Sequence, residues 1–545
     1  MKTVWIRKGL LAVALLLTFA AEAASEGKPN VVFLMADDLG YGDPGCYGGT
    51  TIATPNIDRL AREGIRFTQA YSGGCVCTPA RCVLMTGMHN GHAAARDNVP
   101  HYHTYLTEKD VTIAEILKSQ GYRCGGVGKW SLGDAGTEGR AMNQGFDSWF
   151  GYLNQDHAHY YYPEYLDDDE GRLELKGNGA TRRRYSHDLM TERALRFIRE
   201  SKAGPFFFYG AFALPHFAAR DEDPHGFTVP STAPFSDRAW DERSKKYASM
   251  VHMIDRDVGR IVDLIDQLGL KEQTLVIFTS DNGGHKTIHD RFKTSGPLRG
   301  FKRTLYEGGI RVPFIARWPG LVPAGITSDA IIAFQDMLPT FAALAGVTPT
   351  VQARGSEIRF NTTSTSVDGI NVIDSLKGGP TPENRGRLYW DYGHCRGKQY
   401  TQAVRLGDWK GIRNSGSVME LYDLATDPGE TTNLSASRPD IVAKISTIMS
   451  QAAEPNSRYK IGKVYRGKAI WNKADVRVRP FFDPSPRPTQ QKISPLRVFE
   501  PLRPKNHGQG NEENFAFSSF LSLGYSRCLN FGQSSVSSSF LPFGF

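Results

Sequence analysis

What the chain lacks narrows its class before any motif is read. No dense run of basic residues interleaved with aromatics occurs, so nothing indicates a nucleic-acid groove. Beyond the first two dozen residues no apolar stretch is long enough to span a bilayer. No internal repeat is visible, which excludes a solenoid or a propeller. Cysteines number only seven: Cys46, Cys75, Cys77, Cys82, Cys124, Cys395 and Cys528. Three of them crowd together at Cys75, Cys77 and Cys82, yet no second Cys or His pair stands at matching spacing, which argues against a structural zinc cluster. The odd count leaves one cysteine over from any complete disulfide pairing. A special role for one of the crowded three is the better reading.

What is present is ordinary globular material. Hydrophobic residues make up 40% and charged residues 22% of 545, enough for one large domain with a smaller companion. The net charge of +8 is a mild excess, suited to anionic substrates or surfaces without selecting one. Lys2, Arg7 and Lys8, the apolar run from Gly9 to Ala21 and the small-x-small Ala21-Glu22-Ala23 read as an export signal over residues 1–24. The expectation is a periplasmic or secreted protein with no stable membrane insertion.

Periodicity supplies the architecture. Val31 to Ala36 is continuously apolar, as in a strand buried on both faces of a parallel sheet. Pro205 to Tyr209 and Thr274 to Thr279 read the same way. Thr54 is placed to cap a helix that starts at Pro55 and leaves at Gly64. Tyr247 to Leu268 carries apolar residues on one helical stripe. Strands alternating with helices predict an α/β fold: a mostly parallel central sheet sandwiched by helices, over residues 25–365. Val351 to Ser366 is polar. Short strand-like runs near Arg387, Gln402, Asp408 and Glu420 then predict a small antiparallel sheet, packed with a helix from Pro439 to Ala453, over residues 366–480. Residues 481–545 are rich in Pro, Ser, Phe and Gly without period, and poor order is expected there.

The residues with chemistry sit just past strand ends, where open α/β sheets bind ligands. Asp37-Asp38 follows the first strand and Asp281-Asn282 follows Thr274 to Thr279. Between them in sequence lies Cys77-Thr78-Pro79-Ala80-Arg81, leading through Met85-Thr86 to Gly87. Pro79 suits a helix start and Gly87 an exit, which puts Cys77 at a helix N-terminus where negative charge is favoured. Arg81 lies one turn further on the same side. Asp37, Asp38, Asp281 and Asn282 form a set of hard oxygen donors, better matched to calcium or magnesium than to zinc or copper.

Cys77-x-Pro79-x-Arg81 followed by Met85-Thr86-Gly87 resembles the signature of the formylglycine-dependent type I sulfatases, arylsulfatase-like members of the alkaline-phosphatase-like superfamily. Other segments match the family in order: Ala36-Asp37-Asp38-Leu39-Gly40, Gly128-Lys129-Trp130-Ser131-Leu132-Gly133, Pro215-His216, Ser280-Asp281-Asn282-Gly283, Gly300-Phe301-Lys302 with Glu307-Gly308-Gly309-Ile310-Arg311, and Leu421-Tyr422-Asp423-Leu424. The resemblance spans roughly residues 29 to 455. It implies oxidation of Cys77 to formylglycine (3-oxoalanine) by a maturation enzyme, and hydration of the aldehyde to a diol. It also implies a calcium ion, or magnesium, held by Asp37, Asp38, Asp281 and Asn282 with the residue-77 side chain. Arg81 and Lys129 are then expected to hold the nucleophile, Lys302 to bind sulfate, and His216 to meet the bridging oxygen; Lys129, His216 and Lys302 are the substrate-binding set. The implied reaction is hydrolysis of a sulfate ester, of a small molecule or of a glycan. Hydrolysis of a phosphonate or phosphodiester, and a non-catalytic binder of sulfated glycans, are the alternatives.

One position departs from the pattern. The family commonly has His two residues after the motif lysine, and this chain has Ser131, which is no comparable base near neutral pH. His89, His92, His285 and His289 are the candidate substitutes. The segment Asp156 to Tyr165, dense in His and Tyr, reads either as a packed loop over the sheet or as a surface that contacts substrate.

Overall fold

The computed structural model describes residues 27–467, apart from 170, 219–222, 348–349, 353–354 and 361–362; of residues 348–366 it describes only backbone elements. The expected export signal at residues 1–24 and the Pro/Ser/Phe-rich stretch at 481–545 lie outside the described residues. Among the described residues no helix is long and apolar enough to cross a membrane.

The first strand, β1 (Asn30–Ala36), sits in the middle of a ten-stranded sheet and is buried along its whole length. Successive side chains of a strand point to opposite faces. Val31, Phe33 and Met35 accordingly enter one apolar core, and Val32, Leu34 and Ala36 enter another. That double burial is why the sequence shows an unbroken apolar run and no alternation.

The elements that build the sheet follow in order. Helix α1 (Pro55–Arg62) precedes β2 (Ile65–Phe67), and α2 (Cys77–Thr86) and α3 (Ile113–Ser119) precede β3 (Arg123–Lys129). Next come β4 (Ser148–Tyr152), β5 (Tyr165–Asp168), β6 (Gly171–Glu174), α4 (Ser186–Ser201) and β7 (Phe206–Ala211). Helix α5 (Glu242–Gln267), β8 (Thr274–Ser280), the short α6 (Glu307–Ile310), β9 (Phe314–Arg317), β10 (Ile326–Ser328) and α7 (Met337–Leu344) complete it. The strand order is β10-β2-β9-β8-β1-β7-β3-β4-β5-β6. The central run β8-β1-β7-β3-β4 is parallel, and antiparallel pairs flank it on both sides.

Helix α5 begins five residues before the apolar stripe, because Asp241 caps it by accepting from the Ser244 N–H at 3.0 Å. Its stripe, including Tyr247, Val251, Ile254, Val258, Ile261 and Ile265, is fully buried. Each such aliphatic side chain contributes roughly 1.5–3 kcal/mol. The expected cap of α1 is corrected: Thr54 makes no cap bond and instead accepts from the Gly45 N–H at 2.8 Å. Asp255 of α5 takes over, with Oδ1 accepting from the N–H groups of Asn56 and Ile57, both at 2.9 Å.

The polar stretch before residue 367 forms an antiparallel ribbon, β11 (Thr350–Gln352), β12 (Gly355–Phe360) and β13 (Thr363–Val367). The predicted C-terminal sheet is a meander of β14 (Arg387–Tyr392), β15 (Thr401–Leu406), β16 (Trp409–Asn414) and β17 (Glu420–Asp423), with α8 (Pro439–Gln451) against it.

Candidate active site

Register assembles the site. β1 and β8 pair in parallel with Ala36 beside Ser280, so the next residues of both strands emerge together. The Asp281 N–H donates to the Ala36 carbonyl at 3.0 Å, and the Asp38 N–H donates to Asp281 Oδ1 at 3.1 Å. The Asp37 N–H donates to the Leu214 carbonyl at 2.9 Å, which ties in the segment that carries His216 past β7. Lys129 is the last residue of β3. The glycine before it is required: Gly128 has φ +100°, and a Cβ there would collide with the Ala211 carbonyl of β7.

Cys77 is the first residue of α2, a helix buried at all ten positions that ends at Gly87 with φ +69°. Pro79 is its third residue, so the helix begins two residues before the expected start. No side chain at Val76 caps it; the Thr78 N–H instead donates to Asn98 Oδ1 at 3.1 Å. Cys77 Sγ lies 3.3 Å from Asp37 Oδ1 and 3.3 Å from Lys302 Nζ.

Around the sulfur, three buried carboxylates interlock with three buried cations. Lys129 Nζ donates to Asp37 Oδ2 at 2.6 Å, and Lys302 Nζ donates to Asp38 Oδ1 at 2.6 Å. Arg81 donates to the Lys129 carbonyl at 2.6 Å and to Asp281 Oδ2 at 2.8 Å, with Asp37 Oδ2 at 3.1 Å. His216 Nε2 is 3.6 Å from Asp38 Oδ2 and 4.0 Å from Asp37 Oδ1. All nine expected site residues are therefore together. Lys302, not Arg81 or Lys129, is the cation in contact with the sulfur.

Electrostatics divide these groups. Burial opposes ionisation of Asp37, but Lys129, Arg81 and Lys302 together hold it well below the usual carboxylate range. Burial, then the charges of Lys302 and Lys129, keep the His216 imidazole well below its ordinary value. Burial and then Asp37 push the Cys77 thiol up to about 12. Cys77 does open the helix, as the sequence implies, but burial and an adjacent carboxylate outweigh the dipole, whose influence is typically under 2 kcal/mol, at the thiol itself. An unmodified thiol would be a poor nucleophile at neutral pH.

The donor set fits a hard cation. Asn282 Nδ2 donates to Asp38 Oδ1 at 2.7 Å and to the Gly283 carbonyl at 2.9 Å, while Asn282 Oδ1 is buried with no hydrogen-bond partner. A buried acceptor left over beside three carboxylates is what a divalent ion with oxygen preference would satisfy. Asp37, Asp38, Asp281 and Asn282 could hold it.

Ser131 and its four candidate substitutes separate clearly. Ser131 has φ +65°, and its Oγ donates to Gln155 Oε1 at 2.9 Å, an oxygen that also accepts from Thr78 Oγ1 at 3.3 Å. His92 Nδ1 lies 2.9 Å from Asp368 Oδ2, and His89 stacks on His92 with ring centroids 4.1 Å apart. His289 bonds to Thr294 Oγ1 at 3.1 Å. His285 stands at the site: burial lowers it to about 4, and the charges of Asp38 and Lys302 both reach it. The Asp156–Tyr165 loop packs against the segment that carries His216. Tyr161 is buried and donates to the carbonyls of Ala213 and His216, at 3.0 and 2.7 Å. His159 meets the His216 ring edge-on at 4.7 Å. His159, Gln155 and Thr78 join the site without any motif that marks them for it; the density of imidazoles and phenols at 156–165 is the one sequence signal for the first.

Comparison with known proteins agrees with this geometry. Residues 29–347 match the family model "Sulfatase", and residues 300–454 match "N-sulphoglucosamine sulphohydrolase, C-terminal". Arylsulfatase A of Homo sapiens is 32% identical over 516 residues, covering 84% of this chain and 94% of that protein. N-acetylgalactosamine-6-sulfatase of Canis lupus familiaris is 32% identical over 409 residues, covering 71% and 72%. The solved structure of Ps i-CgsB in complex with k-i-k-neocarrahexaose superposes with a TM-score of 0.67 at 26% identity, covering 80% of this chain and 95% of that one. The chain belongs to the type I sulfatases of the alkaline-phosphatase-like superfamily, the sulfuric ester hydrolases.

Proposed function

We propose that this enzyme hydrolyses sulfate esters of saccharides, with Cys77 converted to formylglycine as the nucleophile. The observation that carries the reading is the position of Cys77 Sγ, 3.3 Å from both Asp37 Oδ1 and Lys302 Nζ among three carboxylates. A thiol pushed up to about 12 has little use there. Replacing it by an aldehyde hydrate puts two hydroxyls in the same place. One attacks sulfur in line, forming an O–S bond as the ester O–S bond breaks; the other loses its proton, re-forms C=O and expels sulfate by C–O cleavage. Water then rehydrates the aldehyde.

Each neighbour has a part. Lys302 binds a sulfate oxygen, and Lys129 and Arg81 fix Asp37 and Asp281. His216 gives its proton to the leaving alkoxide; the negative charge of a bound sulfate beside the ring favours the imidazolium this needs. A calcium ion held by Asp37, Asp38, Asp281 and Asn282 would polarise the sulfate oxygens and favour the attacking alkoxide. Ser131 leaves the elimination step to another base, and His285 is the candidate nearest these charges. The maturation enzyme that oxidises Cys77 is an implied partner, and the N-terminal export signal implies a periplasmic or secreted site of action.

A saccharide substrate is supported by a relative named N-acetylgalactosamine-6-sulfatase and by the Ps i-CgsB structure, whose partner is k-i-k-neocarrahexaose. The test is release of inorganic sulfate from a sulfated saccharide, set beside hydrolysis of phosphate mono- and diesters of one phenol. Sulfate release is the expected main activity; phosphodiester turnover far above it would overturn the reading.

A further inference from the structure

The turn that carries Lys302 is built against its own sequence. The Thr304 N–H donates to the Phe301 carbonyl at 3.0 Å, which closes a β-turn over Lys302 and Arg303. Arg303, its third residue, has φ +74°. Positive φ at that position is the type II pattern, which glycine or asparagine fills without strain and a long side chain does not. The conformation is held from outside, because the Arg303 N–H donates to the Cys75 carbonyl at 2.9 Å. A strained residue next to a catalytic lysine calls for a reason.

The side chain supplies one. Arg303 is exposed, and among the described residues its guanidinium has no hydrogen-bond or ion-pair partner. Nearby Arg396 behaves oppositely: it grips Asp97 through Nε and Nη2 at 3.0 and 2.7 Å. The backbone of Arg303 is tied to Cys75, two residues before Cys77, and its charge reaches His285 and Tyr392 as an influence secondary to burial. His285 in turn stacks on Phe217, next to His216, with centroids 4.8 Å apart. Arg303 therefore stands at the rim between the Lys302–His216 side of the site and the C-terminal sheet, where Tyr392 ends β14.

We infer that Arg303 is a specificity-determining residue: it binds a second anionic group of the substrate, beside the sulfate held at Lys302, and selects saccharides that carry two negative groups close together. The inference rests on the sulfatase reading above. An unpaired guanidinium presents a planar fork matched to sulfate or carboxylate. The second group can be either, and the test separates them.

Binding is measured by titration calorimetry on full-length Cys77→Ser protein with calcium. The probes are one oligosaccharide in singly sulfated form, in disulfated form, and in singly sulfated form with a neighbouring uronate. The protein with Arg303 is expected to bind at least one dianionic probe about tenfold more tightly than the singly sulfated one. Arg303→Gly relieves the turn and Arg303→Gln keeps its strain; both remove the charge, and both are expected to bring the ratio to within about twofold. Arg303→Lys should retain most of the preference. Arg303→Gly should melt at the same temperature or about 1–2 °C higher, which shows that the fold survives. Preference for the disulfated probe identifies a second sulfate, and preference for the uronate probe a carboxylate. Equal binding of all probes by the Arg303 protein, or a ratio unchanged in the Gly and Gln variants, would overturn the inference. Absence of sulfate release by the Cys77 protein would overturn the sulfatase reading separately, since binding does not depend on turnover.

Discussion

Two clusters of buried charge lie only a few residues apart in sequence, and they are built for opposite ends. Lys302 belongs to the active site. Glu307, five residues on, belongs to the seam between the large sheet and the C-terminal meander. There Lys410 Nζ sits 2.8 Å from Glu307 Oε1 and 2.8 Å from Glu430 Oε1. The Tyr71 hydroxyl donates to Glu307 Oε2 at 2.6 Å, and the Glu307 N–H donates to Glu430 Oε2 at 2.7 Å. Burial opposes ionisation of Glu307, but Lys410, Arg311 and Arg405 hold it down to about 2. The seam pairs protein with protein: even Glu430 Oε1, which accepts no hydrogen bond, has the Lys410 charge 2.8 Å away. The active site also balances carboxylates against cations, yet it leaves Asn282 Oδ1 without a partner and places Cys77 in the middle. A buried charge cluster is a lock when its own residues satisfy it, and a site when part of its capacity is left for something else.

Mutations on each side sharpen that contrast. Cys77→Ala should lower sulfate release at least ~10⁴-fold while leaving the circular dichroism and melting profile in place. Lys410→Met should act the other way round. Glu307 loses its nearest buried counter-charge, and Glu430, which burial pushes up to about 7, loses the lysine beside it; denaturant unfolding should report a loss of about 3–5 kcal/mol. Turnover per folded molecule should survive, because Lys410 pairs with Glu307 and Glu430, neither of which is a neighbour of the sulfur. If Lys410→Met removed activity without altering stability, the two clusters would not be separate devices.

A pH series breaks the seam reversibly. Glu307 has a folded pKa below its ordinary 4.5, so its stabilisation is present above pH 4.5 and is lost as pH falls towards 2. The difference in unfolding free energy between the unmutated protein and Glu307→Gln should be up to about 3 kcal/mol at pH 6 and shrink through that window. A difference that is flat from pH 6 to pH 2.5 would contradict the ion-pair account.

Calcium should stabilise the site and not the seam. At a hundredfold excess over its dissociation constant, the ion should raise unfolding free energy by about 2.7 kcal/mol, measured by thermal unfolding with and without chelator. Asn282→Ala should weaken that gain, and Lys410→Met should leave it intact. The smallest effect is expected at Ser131→His, where turnover should change by less than about tenfold, since the family's usual residue is being restored beside Gln155.

The parts of this molecule that the sequence announces are those fixed by strong local pattern. Val31 to Ala36 and Thr274 to Thr279 are continuous apolar runs, so both strands are legible, and Asp37-Asp38 and Asp281-Asn282 are legible as their ends. That the pairs touch follows only from the Ala36–Ser280 register, which no local pattern contains. The cap of α1 misled for the same reason: Thr54 has the right chemistry, but Asp255 arrives from a helix far along the chain. The place of Cys77 at a helix start is legible from Pro79 and Gly87, whereas its burial beside Asp37 is not. The ribbon at residues 350–367 has no apolar alternation to reveal it. His159, Gln155 and Arg303 acquire their positions from loop packing and from one left-handed turn residue, neither of which a single sequence specifies.

The most direct test of the account is peptide mass spectrometry of the segment around Cys77, from full-length protein exported by a host that oxidises sulfatase cysteines. The account predicts a peptide in which the CH2–SH group has become an aldehyde or its hydrate, in proportion to sulfate-releasing activity. An unmodified or disulfide-bonded Cys77 in fully active protein would contradict it.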